Sequence, residues 1–136
     1  MHVVLVRPEI APNTGNIIRL CANTGSTLHL VEPLGFRMDE ADLRRAGLDY
    51  GELADVEIHP DLASVQVALA GRWFVFSSSA DRPYADVEFR DDDVVVFGPE
   101  RHGLDPTTLD SFPEHQRLLI PMRPRNRSLN LANAVA

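Results

Sequence analysis

Val94-Val95-Val96-Phe97-Gly98-Pro99-Glu100-Arg101-His102-Gly103-Leu104 is the stretch on which the fold turns. Four apolar residues in a row, without alternation, read as a strand buried on both faces. The strand runs directly into a loop bracketed by two glycines. Ligands bind at the carboxyl ends of strands in open α/β sheets, and glycines let a backbone come close to them. Glu100 puts a carboxylate at that end. Read alone, these residues also make an ordinary strand-to-helix turn.

Working outward, the same punctuation recurs. Val3–Val6 and Trp73–Phe76 are further buried strands, Thr27–Val31 is another, and Val56–His59 is a weaker one. Asn13 or Thr14 is expected to cap a helix reaching Thr24, with Gly25 as its stop. Asp39 starts a short helix through Arg45, and Asp61 caps one running to about Ala70 before Gly71. Asp105-Pro106 opens a helix that Pro113 closes. Arg117–Ile120 is the last strand, and a final helix begins near Ser128. Strands alternating with short helices predict an α/β domain spanning residues 1–136. It is built on a single, mostly parallel sheet with helices on both faces. Leu129, Ala132, Val135 and Ala136 form an apolar stripe still running at the last residue, so the helix is expected to lack its end.

The charge balance is acidic, a net −7, which does not advertise a nucleic-acid binder. Its distribution says more. All 13 basic residues are Arg. Eight acids and two Arg lie between Asp39 and Asp61, whereas Gln116–Ala136 carries four Arg and no acid. Arginine suits bidentate contact with phosphate, though codon usage alone also yields an all-Arg inventory. No run of 18 apolar residues suggests a membrane span, and Met1–Arg7 lacks signal-peptide character. A single Cys21 cannot form an internal disulfide; together these predict a cytoplasmic protein.

Several chemistries are unsupported. No Gly-x-Gly-x-x-Gly follows the first strand, where Arg7-Pro8-Glu9-Ile10 stands instead, and no Gly-Lys-Ser/Thr occurs. His2, His29, His59, His102 and His115 are scattered without paired metal-ligand spacing. His59 and His115 read as surface residues, Cys21 as a buried structural thiol, and no metal site is expected.

Two further clusters carry chemistry. In Asn13-Thr14-Gly15-Asn16-Ile17-Ile18-Arg19, Asn16 and Arg19 share a helix face and can hold a phosphate or ribose; a capped helix with a solvated Arg is the plainer reading. In Ile120-Pro121-Met122-Arg123-Pro124-Arg125-Asn126-Arg127-Ser128-Leu129-Asn130-Leu131-Ala132-Asn133, Ser128 can cap a helix whose free N–H groups favour anions. Asn130 and Asn133 read as two buried amides, costly unless hydrogen-bonded. A basic surface loop before a capped helix fits the same residues.

Taken in order, these three motifs resemble the SPOUT (α/β-knot) RNA 2′-O-methyltransferases over nearly the whole chain. Glu9, Asn13–Gly25, Glu32-Pro33-x-Gly35-Phe36 and Leu43-Arg44-Arg45-Ala46-Gly47-Leu48-Asp49-Tyr50 are similar to the tRNA (cytidine/uridine-34) wobble-position family within that class. The resemblance implies a deep C-terminal trefoil knot, a homodimer and a tRNA partner. It also implies S-adenosyl-L-methionine (SAM) as methyl donor to the ribose 2′-OH of the wobble nucleotide, C or U. By the same resemblance Phe76, Gly98, Ile120, Met122, Ser128 and Leu129 bind SAM. Asn13, Arg19, Glu100, Ser128 and Asn130 serve catalysis or RNA positioning. The sulfonium makes the methyl electrophilic, so no metal is needed. A guanidinium stays protonated, so Arg19 reads as a clamp rather than a base. The alternatives are an rRNA methyltransferase of the same fold, or a non-catalytic SAM- or RNA-binding module.

Overall fold

The computed structural model describes residues 1–39 and 55–136. Most of the expected Asp39–Arg45 helix, and the whole Leu43–Tyr50 run, lie outside the described residues. The chain opens with β1 (His2–Val6), α1 (Ala11–Thr24) and β2 (Thr27–Val31). After the undescribed residues come β3 (Val56–His59), α2 (Leu62–Ala68) and β4 (Trp73–Phe76). β5 (Arg82–Pro83), β6 (Val94–Phe97), α3 (Pro106–Asp110), β7 (Arg117–Leu119) and α4 (Leu131–Val135) complete it. The strands form one sheet in the order β3-β2-β1-β6-β4-β7-β5. Every pairing in it is parallel.

A parallel sheet must be covered on both faces, and the alternation along its strands divides the core accordingly. Val3, Leu5, Leu28, Leu30, Val95 and Phe97 face α1, which contributes Ile17, Ile18 and Cys21, and α4, which contributes Leu131. Val4, Val6, Val31, Val75, Val94 and Val96 face the other way, toward Val65 of α2 and Leu109 of α3. Thr14, Ile17, Ile18 and Cys21, spaced as one helical face, are all buried. Burial pushes the Cys21 thiol up to about 11, as expected of a structural cysteine.

Three boundaries differ from expectation. Helix α1 starts at Ala11 with Ile10 before it, and neither Asn13 nor Thr14 caps it; Asn13 is buried and turned to other partners. Gly25 (φ 71°) does stop the helix. Asp61 caps α2 through Ser64 N–H at 2.8 Å, but Leu69 takes an extended backbone, so the helix ends before Gly71. The last helix begins at Leu131, not Ser128, because Asn130 supplies the cap: its Oδ1 accepts from the N–H of Ala132 (2.9 Å) and Asn133 (3.4 Å). Asn130 and Asn133 are both exposed residues, not a buried pair. The two-residue β5 carried no sequence signal of its own.

Three of the five histidines are brought together in space. His29 is fully buried in β2, and it meets His2 on one side and His59 on the other. Burial pushes the His29 imidazole down to about 4. His59 is half-buried rather than a surface residue, whereas His115 is exposed.

At the amino edge of the sheet Asp93, fully buried, accepts from Arg72 Nε at 2.8 Å and Nη2 at 2.7 Å, and from Arg90 N–H at 2.8 Å. Burial pushes its carboxyl up, but the Arg72 and Arg90 hydrogen bonds and charges outweigh that and hold it below the usual range. Arg72 stays partly solvated, so Asp93→Ala should cost about 2–3 kcal/mol, less than a fully buried pair. The wild-type contribution should be intact above pH ~3.9 and vanish as pH falls through the lowered native value. Urea melts of both proteins from neutral to acid pH will check the loss and its window.

Candidate active site

The strand order reverses direction between β1 and β6, and ligands bind outside the carboxyl ends of strands at such a switch point. The loop after β6 crosses to the start of α1 here. Glu100 Oε2 accepts from Glu9 N–H at 2.7 Å. Its Oε1 accepts from Ile10 N–H at 3.1 Å and from Asn13 Nδ2 at 3.5 Å. Glu9 returns the contact, accepting from Arg101 N–H at 3.1 Å, with Arg101 Nε 3.7 Å from its other oxygen. Asn13 Oδ1 accepts in turn from Asn130 Nδ2 at 2.8 Å. Residues far apart in the chain are thereby tied into one hydrogen-bonded series, and all three sequence motifs contribute to it. A carboxylate at the amino end of a helix also meets the favourable end of its dipole.

Beside this series lies a cavity of about 410 Å³ at the ends of β4, β6 and β7. Phe76, Gly98, Ile120, Met122, Ser128 and Leu129 all line it, together with Glu100. Phe76 and Phe97 stack with ring centroids 4.6 Å apart, forming a flat apolar wall. Gly98 has no room for a side chain, since a Cβ would lie 2.2 Å from Leu104 N and 2.4 Å from Gly103 C. The loop can fold back on the strand end only with glycine there. A larger cavity of about 680 Å³, around Arg72 and Phe112, contains none of the motif residues.

Not every expected site residue faces the cavity. Asn13 and Asn130 stand behind Glu100 and do not line it. Arg19 is exposed on α1, as is Asn16, and it too lies outside the lining. Both Glu100 oxygens are engaged by the α1 junction, so its carboxylate acts first as a positioning group. Ser77, Ser78, Arg101 and Leu104 also line the cavity. The two serines follow the strand Trp73–Phe76 directly, and the strand-end rule applied at Gly98 would have found them. Arg123, Arg125 and Arg127 alternate along an exposed loop whose flanks, Met122 and Ser128, are part of the cavity wall. Arg125 holds a left-handed backbone, φ 68°.

Residues 1–136 match the model of the SpoU rRNA Methylase family. The chain is 53% identical over 138 residues to the tRNA (cytidine(34)-2'-O)-methyltransferase of Burkholderia pseudomallei (strain 1106a), covering 99% of this chain and 88% of that one. It is 47% identical to the protein of the same name from Escherichia coli (strain K12), covering 100% and 87%. A solved structure concerned with 2-OH methylation of C/U34 on tRNA is 43% identical, with a TM-score of 0.88, and covers 98% of this chain and 88% of its own. The SpoU methyltransferase AviRb from Streptomyces viridochromogenes, solved with AdoMet, is similar in fold at 22% identity and a TM-score of 0.80, covering 98% and 53%.

Removing the Glu100 side chain leaves two backbone N–H groups and the buried Asn13 amide without their acceptor. Glu100→Ala should therefore destabilise by about 2 kcal/mol, and Asn130→Ala by about 1 kcal/mol through its lost cap. Equilibrium urea unfolding will check the order. Equal losses at the two positions would mean that Glu100 does not carry the junction.

Proposed function

The chain belongs to the SpoU rRNA Methylase family, and on that footing we propose that it is a tRNA (cytidine(34)-2'-O)-methyltransferase. It moves a methyl group from SAM to the ribose 2′-OH of the wobble nucleotide, C or U. One observation carries the reading: the motif loops after β6 and β7 converge with the end of β4 on one cavity beside the start of α1. The choice of tRNA and of position 34 is supported by similarity to proteins of that activity along nearly the whole chain.

The cavity residues fit the methyl donor. Its volume lies within the ~300–1,000 Å³ of small-ligand sites. The stacked Phe76 and Phe97, with Ile120 and Leu129, suit a purine. The Ser77, Ser78 and Ser128 hydroxyls and the Gly98–Gly103 backbone suit a ribose and an amino acid. We assign Phe76, Gly98, Ile120, Met122, Ser128 and Leu129 to that group. Its sulfonium supplies an electrophilic methyl, which leaves the protein to align a hydroxyl and release one proton. Alignment of this kind is worth ~7–11 kcal/mol.

Asn13, Glu100 and Asn130 hold the α1 junction against the cavity and so fix where the RNA meets the donor. Arg19, outside the cavity on α1, clamps the phosphate and hydroxyl of the RNA. Ser128 reaches both the cavity wall and the Arg-rich loop. In this reading the C-terminal half carries a deep trefoil knot, two chains associate as a homodimer, and the protein works in the cytoplasm where its tRNA is. Among the described residues no helix is long and apolar enough to cross a membrane.

Incubated with SAM and tRNA, the protein should yield a 2′-O-methyl nucleotide at position 34, mapped by mass spectrometry of nuclease fragments. Methylation only at another position, or only of rRNA, overturns the assignment. Arg19→Ala should abolish transfer and leave SAM affinity nearly unchanged by calorimetry. A tenfold loss of SAM affinity, about 1.4 kcal/mol, would move Arg19 into the donor site. Light scattering should give twice the chain mass, and a fully active monomer at micromolar concentration would refute the dimer.

A further inference from the structure

Three adjacent strands, β1, β2 and β3, carry a row of histidines across the sheet, and none of these residues lines the β4-β6-β7 cavity. β1 and β2 pair Val4 with His29, while β2 and β3 pair His29 with Glu57 and Val31 with His59. Residues two apart share a face, so His2, His29, Glu57 and His59 all project from the same side. The contacts follow. His2 Nδ1 lies 3.1 Å from His29 Nε2. His29 Nδ1 lies 3.0 Å from His59 Nε2. One oxygen, Glu57 Oε2, lies 3.4 Å from His29 Nδ1 and 3.5 Å from His59 Nε2.

Two imidazole nitrogens and a carboxylate oxygen thus form a small triangle with sides of 3.0, 3.4 and 3.5 Å. Zinc bonds to such atoms are ~2.0–2.2 Å long. At tetrahedral angles that length separates any two ligand atoms by about 3.3–3.6 Å. The two carboxylate–imidazole sides of the triangle match one face of a tetrahedral coordination sphere, and the imidazole–imidazole side, at 3.0 Å, needs only a small outward shift of His59 to join them. Its chemistry agrees, since imidazole and carboxylate together are a zinc donor set. A metal-bound histidine commonly gives its other ring N–H to a fixed acceptor, which sets tautomer and orientation. His2 Nδ1 stands in that position toward His29. The Glu57 side chain is 57% exposed, so an ion can reach the triangle and water can supply a fourth ligand.

We propose that His29, Glu57 and His59 form a binding site for a zinc-class divalent cation, with His2 orienting His29. The site lies apart from the methyl-transfer cavity, and its consequence is structural. It clips β3 to β2 through side chains, where, among the described residues, backbone pairing on one side alone holds it.

The test uses untagged protein, cleared of metal by chelation and titrated with zinc alone, without SAM or tRNA. Calorimetry should show one saturable equivalent. Glu57→Gln, which preserves shape on an exposed side chain, and His59→Ala should each weaken binding at least about tenfold. His2→Ala should weaken it by about 10–100-fold, as loss of an orienting contact does. His115→Ala, an exposed histidine outside the row, should leave it unchanged. Cobalt(II) should give the intense visible absorption of a tetrahedral site in wild type and lose it in His59→Ala, with circular dichroism verifying the fold of each variant. Absence of saturable binding overturns the proposal, as does equal affinity in wild type and in both Glu57→Gln and His59→Ala.

Discussion

Glu100 accepts hydrogen bonds from the backbone of Glu9 and Ile10 and from the side chain of Asn13, and the rest of the site is arranged around that acceptance. A parallel sheet has no hairpins to hold neighbouring strand ends together. β1 and β6 are adjacent in the sheet yet distant in the chain, and their carboxyl ends would be free to splay. The carboxylate ties them. It also satisfies backbone donors at the start of α1, where Pro12 lacks an N–H and no side chain of the first turn caps the helix. Asn13 is thereby released from capping and bonds Asn130, which brings the last helix to the same point. Isosteric loss of charge at Glu100 would weaken the acceptor without opening a hole, so its role is electrostatic before it is steric.

The folding of the Gly98–Leu104 loop depends on the same geometry. Glu100 can reach back across β1 only because the chain doubles over at Gly98, where a methyl group would strike backbone atoms. The cavity is what that doubling leaves between the loop and the ends of β4 and β7. Its apolar wall comes from the core itself, since Phe97 belongs to the layer under α1. Site and core are therefore continuous on this face, and a substitution at Phe76 or Phe97 would disturb both.

The sequence made the strands legible because a doubly covered parallel strand has an unmistakable signature, a run such as Val94–Phe97 with no polar alternation. It made helix ends less legible. Asp61 and Asp105 cap where expected because their partners, Ser64 and Thr108, are three residues on. Asn13 and Ser128 do not, because the competing partner of Asn13 lies in another motif and Asn130 is better placed to cap the last helix. The cavity-lining residues could be named in advance only through resemblance to a known family; spacing alone left each motif with an ordinary reading. The histidine row was missed for a related reason. Metal-site spacing is sought within a helix or hairpin, whereas strand register here aligns residues from three separate strands.

Electrostatics constrains how such a chain can hold RNA. With a net charge of −7, its long-range field repels a polyanion and gives no steering. Attraction must come from contacts within a Debye length, ~8 Å at physiological salt. Arg123, Arg125 and Arg127 meet that requirement on an exposed loop at the cavity's margin, and Arg19 presents a further guanidinium on the exposed side of α1. Few contacts release few counterions, so affinity gained this way is modest and shallow in its salt dependence. On the proposed function, discrimination would then rest on shape, on whether a ribose can stand beside the cavity while its phosphates reach arginines on two elements. Asn13 faces inward and Arg19 outward on one helix. In the proposed reading, the Glu100 junction that fixes α1 would therefore also fix the distance between the phosphate contacts and the methyl donor.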